Sequence, residues 1–513
     1  MRNLIVAALL MSAAPAVAQQ VEERSIDQLQ ADMTAGRATS EALTRAFLDR
    51  IARLDRQGPT LRSVIATNPD AIAQARALDA ERKRGRIRGP MHGVPVLLKD
   101  NIETADPMPT TAGSLALKDN FTRRDAPVAA RLRAAGAVII GKTNLSEWAN
   151  IRSNNSMSGW SAVGGLVRNP YALDRTACGS SSGSGASVAA SLAAAAVGTE
   201  TDGSVVCPAS MTGLVGLKPT MGVVSGERVV PISHSQDTPG PMTRSVRDAA
   251  LMLDAMAEGA PARASFAAGL SADALKGARV AVYYPGNASA ELMATFHRAL
   301  DAMRAGGATL VDVKRPELDG IGEAELTVLL TELRADLDAY LATTPAAVKT
   351  RTLDQVIAFN AANASAEMPY FGQELFEQAA KTKGLADPAY KEARAKSLKT
   401  ASEAIDAMLA QANATLLVTP TYGPAWLSDT VHGDQYGGPS SSALPAISGY
   451  PNLTVPIGLV DGLPVGVSFI ATRGGDAAVL NAGYAYEQRA KARVAPRYLP
   501  TVDAGKGLDG AGR

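Results

Sequence analysis

The sequence predicts an α/β protein, and three observations carry that prediction. Short apolar runs of strand length alternate with amphipathic stretches of helical period, the pattern of β/α units. The chain of 513 residues is 46% hydrophobic, enough to bury a large core as two domains or as one unusually large α/β domain. Abundant glycine and alanine suit close backbone approach and small-residue packing.

Taken in order, Ser25-Ile26-Asp27-Gln28 has the form of a capping box opening a helix. Leu43, Phe47, Ile51 and Leu54 recur at helical spacing and predict a helix over 42–54, with another amphipathic helix over 70–84. The basic cluster that follows (Arg82, Lys83, Arg84, Arg86 and Arg88) reads as a solvated turn. Strands are predicted over 94–98 and 137–140, with a helix over 127–135 between them. Residues 186–197 are almost wholly small and apolar, which predicts one buried helix. The strand pattern resumes at 280–284 and 309–313 around a helix over 291–304. Residues 317–396 are rich in helix formers and read as a mostly helical insertion. Strands return at 415–418, 453–455 and 465–470, with a helix over 477–488 and a glycine-rich, frayed tail.

Charge narrows the function classes. With 51 basic and 50 acidic residues there is no electrostatic case for nucleic acid or an acidic membrane surface. Aromatics at 4% argue against a base-stacking platform. The first residues read as an export signal over 1–18: Arg2, an apolar run over 4–11 too short to span a bilayer, and Ala16-Val17-Ala18 as cleavage motif. A periplasmic or secreted protein is the expectation, with no membrane attachment once the signal is removed. Export would permit a disulfide between the two cysteines, Cys178 and Cys207. The reading favoured is two small buried residues flanking the site, their geometry left open.

Three segments carry the chemistry. Lys99 closes an apolar run in GVPVLLKDN (93–101), where a lysine either snorkels to water or, if enclosed, becomes a neutral base. Ser180 opens the serine cluster of CGSSSGSG (178–185). That cluster lacks the lysine of a phosphate loop, and it lacks the preceding strand that a G-x-S-x-G elbow needs. A tight loop packing its hydroxyls inward at a helix N-terminus fits best. Ser204 follows Gly203 in GTETDGSVVCP (198–208), a turn whose consecutive backbone N–H groups suit an oxyanion, or a plain Asp-Gly-Ser turn. The histidines His92, His234, His297 and His432 have no metal-binding companions, so no metal or cofactor is implied. His297 reads as structural, whereas His92 and His234 lie near the key segments as candidate site-lining residues that the chemistry does not need.

Together the three segments resemble the amidase signature family of serine hydrolases. Ser180 lies 81 residues beyond Lys99, and Ser204 lies 24 residues further on. Leu217-Lys218-Pro219-Thr220, DTPGP (237–241) and GYPNLTVP (449–456) are also similar, so the resemblance spans about 25–497. It implies a single large domain with a mixed twisted sheet covered by helices on both faces. It implies Ser204 as nucleophile, Ser180 as a bridging serine on a cis peptide bond, and Lys99 as base. The backbone N–H groups of Thr201, Asp202, Gly203 and Ser204 would form the oxyanion hole. Many members carry an arginine two or three residues after the nucleophile; here Val206 and Cys207 stand there, so an arginine clamp on a substrate carboxylate is not expected. The region 148–185 with GTETDGSVVCPA looks most like the bacterial peptide amidases, which remove ammonia from C-terminal peptide amides.

The expectation is therefore an exported amidohydrolase acting on a small-molecule or peptide amide. One rival is the amidase component of a tRNA-dependent amidotransferase, which would need partner subunits and which the export signal opposes. The other is a periplasmic solute-binding protein, which would have no reason to gather Lys99, Ser180 and Ser204.

Overall fold

The computed structural model describes residues 21–259 and 264–502; the expected signal segment and most of the tail lie outside them. Eleven strands form one mixed sheet: β1 (Val64–Thr67), β2 (Pro95–Lys99), β3 (Val138–Thr143), β4 (Ala195–Glu200), β5 (Val215–Lys218), β6 (Thr238–Thr243), β7 (Arg279–Tyr283), β8 (Thr309–Val313), β9 (Leu416–Pro420), β10 (Asn452–Val460) and β11 (Leu463–Ile470). Their order across the sheet is β1-β3-β2-β4-β6-β5-β10-β11-β9-β7-β8. The sheet runs through the molecule without a break, so the one-domain alternative is the observed one.

Strands β3, β2 and β4 are parallel neighbours, as are β9, β7 and β8, while the central pairs are antiparallel. Every residue of β2, β3 and β4 is buried, which is why these strands read as continuous apolar runs rather than alternating ones. Parallel strands end at the same edge of a sheet, so the C-terminal ends of β2 and β4 lie side by side. Leu98 registers with Val197, which brings Lys99 next to the Gly198–Thr199 step.

The Ser25 capping box forms as expected, with Ser25 Oγ accepting from Gln28 N and Gln28 Oε1 accepting from Ser25 N. The helices at Ala71–Lys83, Pro127–Ala134, Ala290–Ala305 and Asp476–Ala490 lie where the periodicity puts them. One expectation fails. Residues 186–197 are not a single helix: helix α1 (Ser182–Ala189) ends, the chain turns, and β4 begins at Ala195. A run of small apolar residues buried on all sides has no polar stripe to reveal its period, so helix and strand look alike in it. Strand β6 (TPGPMT) was not expected at all, because Pro239 and Pro241 cannot donate to a ladder and mark an unlikely central strand.

The segment 317–396 is helical, with α2 (Ile321–Ala342), three short helices and the start of Pro388–Ala412. It packs an apolar cluster of its own around Leu333, Leu337, Leu341 and Phe376, against Trp148 and Ile232 beside the site. No helix among the described residues is long and apolar enough to cross a membrane.

Candidate active site

Lys99, Ser180 and Ser204 come from three separate elements: the end of β2, the loop before α1, and the turn after β4. Lys99 is fully buried rather than snorkelling to water. Its Nζ lies 2.7 Å from Ser180 Oγ, 2.9 Å from Thr199 Oγ1 and 3.2 Å from Thr199 O. Burial pulls the Lys99 ammonium down from 10.5 to about 7, against the opposing pull of Asp237 and then Glu200. A neutral amine has two N–H groups and one lone pair. In the neutral form of Lys99 the two Thr199 oxygens are placed to accept both N–H groups, and the lone pair is then available to the Ser180 hydroxyl.

The serine loop owes its shape to close packing. Ser180, Ser181, Ser182, Ser184 and Ser187 are all buried, with their hydroxyls directed inward. Ser181 Oγ donates to Thr199 O (3.1 Å) and accepts from Thr199 N (3.1 Å). Ser184 Oγ donates to Val197 O (3.2 Å). A side chain at Gly183 would strike the backbone of Ser63 and Asn144. The Gly179–Ser180 peptide is cis, and Ser181 N–H donates to Ser204 O at 3.2 Å, holding the loop against the turn after β4.

That turn is built around Gly203, whose φ is +79° and whose missing Cβ leaves room for the Tyr422 hydroxyl. Glu200 divides its backbone donors. Its Oε2 accepts from Val205 N (2.8 Å) and Val206 N (2.9 Å). The N–H groups of Thr201, Asp202, Gly203 and Ser204 have no acceptor among the described residues, so four donors remain for a ligand beside Ser204. Ser204 lines a cavity of about 310 Å³ together with Thr201, Asp202, Ile232, Leu329 and Tyr422. No lysine or arginine is among its described lining residues, in keeping with the missing arginine after Ser204.

Several residues of the site escaped the sequence reading. Asp237 accepts from Thr201 Oγ1 (2.6 Å), Ile232 N (2.8 Å) and Ser233 N (3.0 Å), fixing the far side of the turn; burial raises its carboxyl to about 6. Gln236 Nε2 donates to Glu325 Oε1 (2.9 Å), tying the same loop to α2. Asp237 opens the similar DTPGP segment and Thr199 stands in GTETDGSVVCP, but neither was given a role of its own, and nothing in the sequence marked Gln236 or Glu325. Neither His92 nor His234 lines the cavity. His92 is buried with Nε2 3.0 Å from Leu78 O, and His234 sits on Asp336 in a neighbouring cleft.

The two cysteines are bonded to each other, not free: Cys178 and Cys207 are joined across a separation of 29 residues, Cα–Cα 6.0 Å. The sequence could not show that the serine loop and the helix after Ser204 are packed together. The bond ties the loop carrying Ser180 to the helix Val206–Met211, and both cysteines line the cavity.

Comparison with known proteins accords with this architecture. The profile of the Amidase family matches residues 42–480, and the chain belongs to that family. It is a hydrolase acting on amide C–N bonds. Among solved structures it is similar to native peptide amidase from Stenotrophomonas maltophilia (48% identity, TM-score 0.89, covering 93% of this chain and 99% of that one). A structure of peptide amidase in complex with the competitive inhibitor chymostatin matches equally well (48%, TM-score 0.90). Among sequences, a probable amidase of Arabidopsis thaliana is 36% identical, covering 93% of this chain and 92% of its own length. A glutamyl-tRNA(Gln) amidotransferase component from Pseudomonas syringae is 34% identical, covering 88% of this chain and 94% of its own length.

Proposed function

We propose that this amidase hydrolyses C-terminal carboxamides of peptides and that Lys99, Ser180 and Ser204 perform the chemistry. The observation that carries the reading is the fully buried Lys99 with its Nζ 2.7 Å from Ser180 Oγ, beside a turn with four free N–H groups. Neutral Lys99 takes the Ser180 proton as Ser180 takes that of Ser204, and Ser204 Oγ attacks the carboxamide carbon. The N–H groups of Thr201, Asp202, Gly203 and Ser204 stabilise the oxyanion. The C–N bond breaks as the proton returns through Ser180 to the leaving nitrogen, and ammonia departs. Water then hydrolyses the acyl-enzyme by the same relay.

Two features favour an uncharged peptide amide as substrate. Among the described residues the cavity lining has no lysine or arginine to hold a free carboxylate, and similarity to peptide amidase exceeds that to the amidotransferase components. The helical segment 317–396 is proposed to form the substrate funnel, on the support of Leu329, which reaches the cavity from α2; swapping it without any change in substrate range would refute this. Export is supported by the signal-like first 18 residues and by the Cys178–Cys207 bond, which suits an oxidising compartment. Cell fractionation tests it.

The activity test is ammonia release from an amino-acid amide, a peptide C-terminal amide, an aryl amide and an aliphatic amide, with wild type beside Ser204→Ala and Lys99→Ala. Preference for the peptide amide, lost in both variants, is expected. Preference for another member would overturn the substrate, and undiminished turnover in either variant would overturn the mechanism. Ligand binding by Ser204→Ala without turnover by wild type would instead support a binding protein.

A further inference from the structure

Away from the reacting groups, the fold brings one histidine between two carboxylates. His234 lies on the segment between β5 and β6, and Glu332 and Asp336 lie one helical turn apart on α2. One donor atom from each of the three lies within 4.8 Å of the other two. His234 had no visible companion in the sequence because Asp336 stands 102 residues further on. The His234 side chain is half exposed and, with Asp336, borders a cleft of about 630 Å³, whereas Glu332 is fully buried.

The hydrogen bonds decide which ring nitrogen is free. His234 Nδ1 is 2.9 Å from Asp336 Oδ2 and 3.1 Å from Oδ1. A carboxylate only accepts, so Nδ1 carries the proton. In the neutral imidazole the lone pair is then on Nε2, which stands 3.6 Å from Glu332 Oε1. That separation is too long for a hydrogen bond. A Zn²⁺ ion at about 2.0–2.2 Å from each atom spans it with an N–Zn–O angle of about 120°. The Glu332 carboxylate is itself held in place: Oε1 accepts from the Tyr390 hydroxyl (2.7 Å), and Oε2 accepts from Ser233 Oγ and from Ser235 N (3.2 Å). A carboxylate-anchored histidine facing an oriented carboxylate is the arrangement that surrounds bound zinc. Neither carboxylate pairs with a lysine or arginine among the described residues, and burial raises the Asp336 carboxyl above its ordinary value. Positive charge is what this cluster lacks.

We propose that the cluster is a Zn²⁺ site, with His234 Nε2 and Glu332 Oε1 as ligands, Asp336 fixing the ring through Nδ1–H, and water from the cleft completing the shell. Nitrogen and carboxylate donors together favour zinc over magnesium. The ion fastens the loop to α2. Ser233 Oγ, His234 N and Ser235 N already donate to the same two carboxylates. The next two residues grip the turn after β4: Gln236 Nε2 donates to Thr201 O (3.3 Å), and Asp237 Oδ1 accepts from Thr201 Oγ1 (2.6 Å). Zinc here is a clamp on the loop that holds Thr201, not a participant in the amide chemistry.

The test is calorimetric titration of Zn²⁺ into the chelator-treated full chain, followed by thermal unfolding with and without the ion. One Zn²⁺ per chain at micromolar affinity is expected, with Tm raised by about 2–4 °C at roughly a hundredfold excess over Kd. His234→Ala changes a half-exposed side chain, so it is expected to fold and to weaken binding roughly tenfold or more. Asp336→Asn is expected to weaken it by about 10–100-fold. His432→Ala removes the other exposed histidine that pairs with a carboxylate among the described residues, Asp429, and is expected to leave binding unchanged. Amide hydrogen exchange over 232–237 is expected to slow when Zn²⁺ is bound. No binding by wild type, binding that survives His234→Ala or is lost in His432→Ala, or an equal response to Mg²⁺ would overturn the site. Unchanged exchange over 232–237 in the zinc-bound protein would overturn the clamp.

Discussion

If Lys99 is the base, its protonation sets the acidic limb of the reaction, and the structure fixes where that limb lies. At the ordinary lysine pKa only about one side chain in three thousand is neutral at pH 7. Burial lowers the Lys99 value to about 7, so about half the molecules hold the base ready, a gain of roughly a thousandfold. Because the folded value is lowered, the competent neutral form accumulates as pH rises through about 7. For a peptide amide with no titrating group, kcat/KM should climb about tenfold per unit below pH 6 and level off above about pH 8. Asp237 is the largest of the charges holding the value up, so Asp237→Asn should move the limb to lower pH. Lys99→Met should lose about 10²–10⁴-fold of the rate and the limb with it. A stopped-assay profile of ammonia release from pH 5 to 9 would decide. A flat profile in wild type, or the same inflection in the residual activity of Lys99→Met, would refute the assignment of the base.

Other outcomes follow from the same geometry. Ser180→Ala should fold normally and lose about 10²–10⁴-fold in kcat with little change in KM, because it interrupts proton transfer rather than binding. Gly203→Ala forces a Cβ toward the Tyr422 hydroxyl at a φ of +79°; urea unfolding should show a loss of about 1–3 kcal/mol, and activity should fall with it. Replacing both Cys178 and Cys207 by serine releases a loop closed over 29 residues and should cost about 3–4 kcal/mol by the loop-entropy relation, read from urea midpoints with and without reductant. Leu329→Trp narrows the active-site cavity and should raise KM for a peptide amide roughly tenfold while sparing a small aliphatic amide.

Much of this was legible in the sequence, for identifiable reasons. Lys99, Ser180 and Ser204 each stand in a segment that alone also fits a plain structural reading, and it was their joint resemblance to the amidase signature that singled them out; the structure places Lys99 Nζ 2.7 Å from Ser180 Oγ and joins Ser181 N–H to Ser204 O. The capping box at Ser25 and the amphipathic helices were readable because their signals are local. What was hidden depends on neighbours distant in the chain. The strand β6, carrying Pro239 and Pro241, exists because Thr199 and Val197 of β4 pair with those residues from across the sheet. The change from helix to strand between Ala189 and Ala195 leaves no trace in an unbroken run of small residues. Thr199, which holds Lys99, stood within the GTETDGSVVCP segment, but nothing local showed that its side chain would reach a lysine 100 residues earlier. The Cys178–Cys207 bond required knowing that α1 and the helix Val206–Met211 are in contact.

The most direct measurement is the mass of the enzyme quenched during turnover of a peptide alkyl ester, followed by peptide mapping. The account predicts an acyl adduct on Ser204, absent in Ser204→Ala and formed far more slowly in Lys99→Met. An adduct on Ser180, or steady turnover by Ser204→Ala, would contradict it.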